Sequence, residues 1–236
     1  MIYEGKAKKI FATAQPEQLI QEFKDSLTAF NAQKKGSFKG KGGINLKITS
    51  TIFKYLADHQ IPSHFIRTLD DQNMLVEKLT MIPLEVVVRN KAAGSLSARL
   101  GIPEGTALPE TLVEFYYKKD ELNDPLVTDD HAVLLKAATR SELKELKERA
   151  LAINKHLIAM FKEVGVDLID FKIEFGRNLK GGIVLADEIT PDSCRLWDSK
   201  TQEKLDKDRF RRDLGKVEES YQLICKKILE RWGSEQ

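Results

Sequence analysis

Apolar residues recur at helical spacing most clearly over residues 139–165. Thr139 and Glu142 have the spacing of a capping box. Leu143, Leu146, Ala150, Ile153, Leu157, Phe161 and Val164 then form one stripe among charged residues, and Gly165 supplies a stop. Ile44, Ile48, Ile52, Phe53 and Leu56 predict a second helix over residues 44–56. The tail from about Asp208 predicts a third, striped by Phe210, Leu214, Val217, Tyr221, Ile224, Ile228 and Trp232. Pro16 suits the first turn of a short helix running through Leu19, Ile20 and Phe23.

Other segments read as strands. Residues 2–12 form two short strands about the turn at Gly5, and residues 27–30 a brief one. Residues 65–67 and 73–79 flank the acidic turn at Asp70 and Asp71, and residues 84–89 and 112–117 are further strands. Residues 168–175 alternate, with Asp170, Lys172 and Glu174 on one side and Ile169, Phe171, Ile173 and Phe175 on the other. A turn over residues 177–182 and a return over 183–189 complete a hairpin. Residues 94–110 hold Gly94, Gly101, Pro103, Gly105 and Pro109, which favours a short helix and turns. Residues 31–43 combine four lysines with four glycines and read as a solvated loop or an anion-facing flap, mobile without ligand. The element order lacks the regular repeat of a parallel sheet with crossover helices. It predicts an α+β fold of two lobes around a central cleft, with residues 1–80 the strand-rich lobe and residues 81–236 the larger mixed lobe.

A chain of 236 residues buries roughly 70% of its unfolded surface, enough for a core without staples. Its 42% hydrophobic and 31% charged residues exclude global disorder. The 38 basic residues nearly balance 36 acidic ones, giving a net charge of +2, which argues against a nucleic-acid coat. Cys194 and Cys225 make neither a disulfide framework nor a zinc set. The N-terminus carries no secretory pattern and no run approaches 18 apolar residues, so a cytoplasmic protein without membrane partners is expected.

Four places carry candidate chemistry. The hairpin brings Glu174 toward Asp187, and two carboxylates between paired strands need a positive partner. Magnesium shared with phosphate oxygens would serve, and so would Lys172. The turn Gly5-Lys6-Ala7-Lys8-Lys9 lacks the glycine run of a Walker loop but could face a triphosphate. Arg89 ends an apolar strand before small residues, Gly94 and Ser95, so Arg89 and Ser95 could fork a phosphate. Residues 191–198 and 206–211 mix charges of both signs, as a specific binding loop does; Cys194 is a small neighbour there rather than a nucleophile.

Four stretches together resemble one family along essentially the whole chain. They are Tyr3-Glu4-Gly5-Lys6-Ala7-Lys8, Val87-Val88-Arg89-Asn90-Lys91-Ala92-Ala93-Gly94-Ser95, Asp170-Phe171-Lys172-Ile173-Glu174-Phe175-Gly176, and the run from Asp187 to Asp198. The family is that of SAICAR synthetase. The resemblance implies an ATP- and Mg²⁺-dependent ligase of de novo purine synthesis, with a homodimer plausible. Such a ligase joins L-aspartate to the carboxylate of 5-amino-1-(5-phosphoribosyl)imidazole-4-carboxylate, giving the succinocarboxamide, ADP and phosphate. By the same resemblance Lys6, Ala7 and Lys8 lie over the triphosphate, and Glu77, Lys78 and Leu79 pass the adenine edge. Glu174 and Asp187 are the implied magnesium ligands. Arg89, Ser95 and Arg195 hold the ribonucleotide, chiefly its phosphate, and Asp192 and Lys207 line the same cavity. Asp192 is the candidate acceptor for the proton that aspartate must lose. The resemblance breaks at Leu46, where relatives commonly carry a second asparagine after Asn45. A small-molecule kinase and a nucleotide-binding regulatory module are the competing readings; dependence on aspartate excludes the first and release of ADP the second.

Overall fold

The computed structural model describes residues 1–29 and 33–233. The chain opens with β1 (Tyr3–Glu4) and β2 (Lys8–Ala12), a hairpin about the Gly5 turn, followed by β3 (Gln18–Phe23). The helix expected after Pro16 is therefore a strand, and Pro16 lies in the turn before it. A six-residue helix is marginal alone, whereas this segment is bonded on one side to β2 and on the other to a later strand. Gln21 and Phe23 alternate into the interior.

β4 (Ser26–Ala29) and β5 (Lys34–Ser37) form a two-stranded ribbon that leads into α1 (Lys41–Asp58). The glycine- and lysine-rich stretch is thus half ribbon and half helix start rather than a flap, and its Asn31 lies outside the described residues. The helix begins three residues earlier than its apolar stripe because a distant carboxylate caps it. Asp25 accepts hydrogen bonds from the Gly40 and Gly42 N–H groups at 3.0 and 2.9 Å, satisfying donors that a helix start leaves unpaired. Gly42 packs on the carbonyl oxygen of Phe23 with no room for a Cβ. β6 (Phe65–Thr68) and β7 (Asn73–Glu77) complete an antiparallel sheet in the order β1-β2-β3-β7-β6.

The chain passes to the second sheet between Glu77 and Thr80. Gly176 makes room for this crossing, since a Cβ there would lie 2.6 Å from that of Leu79. The second sheet uses β8 (Thr80–Lys91), β9 (Ala107–Tyr117) and β10 (Leu126–Val127), with α2 (Gly94–Leu100) between β8 and β9. After α3 (Asp129–Leu134) and α4 (Arg140–Glu163) come β11 (Val166–Arg177), β12 (Ile183–Ala186) and β13 (Cys194–Asp198). The Thr139/Glu142 capping box forms as expected, and Gly165 takes a φ of 69° beyond the end of α4. The order is β10-β9-β8-β11-β12, with β13 on the same edge of β11 as β12. Each takes half of that long strand: β13 pairs with Val166 to Phe171, and β12 with Glu174 to Arg177.

The return strand stops at Ala186 rather than Ile189, because Asp187 adopts a left-handed φ of 65° and leaves the ladder. The tail helix is also broken, into α5 (Asp208–Arg211) and α6 (Val217–Trp232). Asp213, Gly215 and Lys216 between them all have positive φ, which leaves Leu214 exposed. Helix α6 packs along α1, so the predicted stripe covers the protein's own core. Leu46 is buried in that core. One continuous apolar cluster joins Phe23, Met74 and Val76 of the first sheet to Ile173, Phe175 and the α4 residues Leu146, Ile153 and Leu157. No helix among the described residues is long and apolar enough to cross a membrane.

Candidate active site

The polar face of β11 is the floor of a trough of about 1180 Å³ between the two sheets. Antiparallel register aligns Asp170 with Arg89, Lys172 with Val87 and Glu174 with Glu85. The next strand sets Glu114 opposite Val87 and Tyr116 opposite Glu85. The apolar face of the sheet is buried against α4, which forces these polar side chains to the other side. The first sheet contributes Lys6, Ala7, Lys8, Gln21 and Glu77 to the trough. Between β12 and β13, residues 187–193 lie opposite the middle of β11, where the Lys172 N–H donates to the Ser193 carbonyl at 2.8 Å. The split edge delivers Asp187, Glu188 and Asp192 into the trough.

Glu174 and Asp187 converge on one ammonium. Lys172 Nζ lies 2.9 Å from Glu174 Oε1, 3.0 Å from Glu85 Oε1 and 3.9 Å from Asp187 Oδ2. Lys8 pairs with Asp187 and, at 3.1 Å, with Glu188, while Lys118 pairs with Glu174. Burial pushes the Asp187 carboxyl up, but Lys8 and Lys172 outweigh it and hold it well below the usual carboxylate range. Burial opposes the charge on Lys8 and Lys172 too, and their carboxylate partners raise both. His64 lies beside this group, and burial pushes its imidazole down to about 4, so it is neutral at pH 7.

A second cluster occupies the far end of the floor. The Arg89 guanidinium donates to Glu114 at 2.7 Å, Asp170 at 2.9 Å, Ser95 at 3.0 Å and Tyr116 at 3.1 Å. Arg195 donates to Asp170 at 2.9 Å and to Asp208 at 2.9 Å. Burial pushes the Asp170 carboxyl up against the pull of the two arginines. Gly94, at φ 52°, lies against the Arg195 guanidinium with no room for a Cβ. Arg99 pairs with Glu114 at the edge of the cluster.

The third cluster surrounds Asp192. Lys41 and Asn45, one helical turn apart on α1, both reach its Oδ2, Asn45 at 2.8 Å. Tyr221 donates to Oδ1 at 2.9 Å, and Lys207 Nζ lies 3.4 Å from the same oxygen. Burial pushes this carboxyl up, but Lys41 and Lys207 hold it well below its ordinary range.

The trough therefore brings together Lys6, Ala7, Lys8, Glu77, Leu79, Arg89, Ser95, Glu174, Asp187, Asp192, Arg195 and Lys207. Lys78 is not among its lining residues, and its N–H donates to the Glu17 carbonyl at 2.8 Å. Lys6 pairs at the exposed rim with Asp120 at 3.0 Å. Cys194 is buried and its thiol pushed up by burial, so it is no nucleophile. Sequence reasoning missed Lys118, Tyr116, Glu114, His64 and the Lys41–Asn45–Tyr221 set. Only the i, i+4 spacing of Lys41 and Asn45 is visible in the sequence, and a helix predicted from Ile44 excludes Lys41.

Buried carboxylates alternate with lysine and arginine along the trough between the two sheets, an arrangement suited to phosphorylated small molecules. The SAICAR synthetase family model matches residues 1–228. The chain is 56% identical over 230 residues to the phosphoribosylaminoimidazole-succinocarboxamide synthase of Wolinella succinogenes, covering 97% of this chain and 98% of that one. Among solved structures, the synthase of Ehrlichia chaffeensis superposes with a TM-score of 0.94 at 47% identity, covering 96% of this chain and 97% of that one. A SAICAR synthetase in complex with ADP superposes with a TM-score of 0.94 at 49% identity, covering 99% and 98%. The chain belongs to the SAICAR synthetase family.

Proposed function

We propose that the trough is where the family's ligation takes place, with the site residues in the roles their surroundings suit. The chain is an ATP-dependent ligase that joins L-aspartate to the carboxylate of 5-amino-1-(5-phosphoribosyl)imidazole-4-carboxylate, releasing ADP and phosphate. The observation that carries the site assignment is the convergence of Glu174 and Asp187 on Lys172, next to Lys8 and on the same sheet face as the Arg89–Asp170–Arg195 cluster.

A carboxylate is a poor acyl donor because attack must expel oxide. Phosphorylation by ATP makes an acyl phosphate, whose leaving group is phosphate. Lys8 and Lys172 would offset charge on the transferring phosphoryl group. Lys6 and Ala7 would cover the triphosphate, and Glu77 to Leu79 the adenine. Arg89, Ser95 and Arg195 would hold the ribonucleotide phosphate, orienting its carboxylate toward the γ-phosphate. Among the described residues no three His, Cys, Asp or Glu side chains form a metal cage. Two ionised carboxylates facing one cation position fit Mg²⁺, which keeps few protein ligands and completes its shell with phosphate oxygens and water. Glu174 and Asp187 would hold it, and it would supply charge neutralisation at the phosphates. A cytoplasmic location and a homodimeric state belong to the same reading.

The test is an omission series with ATP, Mg²⁺, L-aspartate and the carboxylated ribonucleotide, following product by mass. Amide must require all four components. A stable phosphorylated ribonucleotide formed without aspartate would replace the ligase by a kinase. Asp187→Asn should fold normally and lose about 10²–10³-fold in kcat; a rate near wild type at limiting Mg²⁺ would remove Asp187 from the metal.

A further inference from the structure

We propose that Lys207 takes the proton from the α-ammonium group of the aspartate substrate. The inference rests on the ligase reading above, because it concerns the amine that attacks. That amine is protonated at pH 7 and cannot form a bond to carbon until it loses a proton.

Asp192 is the acidic candidate nearby, but its oxygens are already engaged. Lys41 and Asn45 reach Oδ2, and the Tyr221 hydroxyl donates to Oδ1. A carboxylate hydrogen-bonded and charge-paired in this way is a weak base. Lys41 is wholly buried and by itself neutralises Asp192. Lys207 is a second lysine on the same single carboxylate, 3.4 Å away, and it lines the trough. The other carboxylate facing it, Glu188, is paired with Lys8 at 3.1 Å. Arg211 stands beside Lys207 on α5, itself paired with Asp208 at 2.6 Å. Lys207 therefore faces Asp192 and Glu188 from the loop, Lys41 from α1 and Arg211 from α5, with more positive than free negative charge. Burial pushes its ammonium below the ordinary lysine range, and Arg211 and Lys41 add to that against the pull of Asp192. Both effects favour the neutral amine, the form that accepts a proton.

The step balances. In its neutral form, Lys207 accepts one proton from the aspartate ammonium. The freed nitrogen lone pair bonds to the acyl-phosphate carbon, and the bond from that carbon to the phosphate oxygen breaks. The second nitrogen proton leaves with phosphate, and Lys207 returns its proton to water through the open trough.

The experiment compares wild type, Lys207→Ala and Lys207→Arg, each with ATP, Mg²⁺ and the carboxylated ribonucleotide, using either aspartate or hydroxylamine as nucleophile. Hydroxylamine is neutral at pH 7 and traps the acyl phosphate as a hydroxamate without a base. At saturating ribonucleotide, Lys207→Ala should lose about 10²-fold in aspartate coupling at pH 7, at least about tenfold more than it loses in hydroxamate formation. The aspartate deficit should shrink as pH rises toward the amine's own range. Lys207→Arg keeps the charge but cannot act as a base, and should be as slow as Lys207→Ala. Wild-type coupling by Lys207→Arg would show a charge-holding role and overturn the proposal. Equal loss with both nucleophiles would overturn it as well. Absence of hydroxamate from the wild type would instead refute the acyl-phosphate ligase on which the inference rests.

Discussion

Lys41→Met isolates the buried pair that anchors the Asp192 loop to α1. Methionine keeps the length and apolar volume of lysine but removes its charge. The two side chains are only 1% and 5% exposed. Deleting one partner of such a pair costs about 3–5 kcal/mol, because a charge is left buried. Asn45, Tyr221 and Lys207 still reach Asp192, which puts the cost at the lower end, about 3 kcal/mol. At about 2–4 °C per kcal/mol for a chain of this size, the melting temperature should fall by about 6–12 °C. Adding Asp192→Asn should restore most of the loss, so the double-mutant cycle should show strong coupling. The pH dependence follows from the depressed folded-state value of Asp192. Its contribution is complete above the ordinary value of 3.8 and is lost as pH falls through the lower folded value. The gap between wild type and Lys41→Met should therefore be widest above about pH 4 and narrow in acid. Thermal and urea unfolding across pH measure all three quantities. A variant melting within about 2 °C of wild type, or a double variant as unstable as the sum of the singles, would refute the assignment of a charged, buried pair.

Gly42→Ala should destabilise by about 1–3 kcal/mol in urea unfolding, since its Cβ meets backbone at Phe23 that cannot rotate away. Arg89→Ala should raise KM for the ribonucleotide more than for ATP and also lower stability by about 3 kcal/mol or more, because Asp170 and Glu114 lose a buried partner. A normal melt with impaired binding would limit Arg89 to the ligand. Burial and the charge of Asp208 raise Asp206 to about 7, so the folded state favours its protonated form. Stability from this group is present below the ordinary carboxylate value and declines as pH rises through about 7. In paired urea titrations, Asp206→Asn should be flatter than wild type from about pH 4 to 7; parallel curves would contradict the raised value.

Local patterns exposed the β11–β12 hairpin, because strict alternation from Ile169 to Phe175 and a polar turn leave few other structures. The α4 capping box was equally local. Failures came where the deciding partner was remote. Residues 18–23 carry a pattern compatible with either state, and it was β2 and β7 that made them a strand. The start of α1 depends on Asp25, fifteen residues away by chain separation, and no periodicity reports a cap at that distance. Lys118 sits 56 residues from Glu174 and was invisible for the same reason. Glu174 and Asp187 were legible as a pair because the hairpin turn lies between them. Arg89 and Ser95 were legible as a phosphate fork, but the ribonucleotide itself and the part expected of Arg195 came from family resemblance, since composition cannot name a ribonucleotide.

The division of β11 between two partners explains how the Asp192 cluster joins the two clusters that this strand carries. A single partner strand along that edge would have bonded every backbone group and kept Asp187 to Asp192 in a flat ladder, with alternate side chains turned away from the trough. Ending β12 at Ala186 with a left-handed Asp187 frees the chain to cross over the floor instead. The Ser193 carbonyl still accepts the Lys172 N–H, so the gap leaves that donor paired. The same crossing sets Asp187 beside Glu174 and Asp192 beside α1, and β13 resumes in time to set Arg195 opposite Asp170. The strained conformation at Asp187 thus has a structural return: it directs one short loop to both the carboxylates around Lys172 and the lysine pair at Asp192.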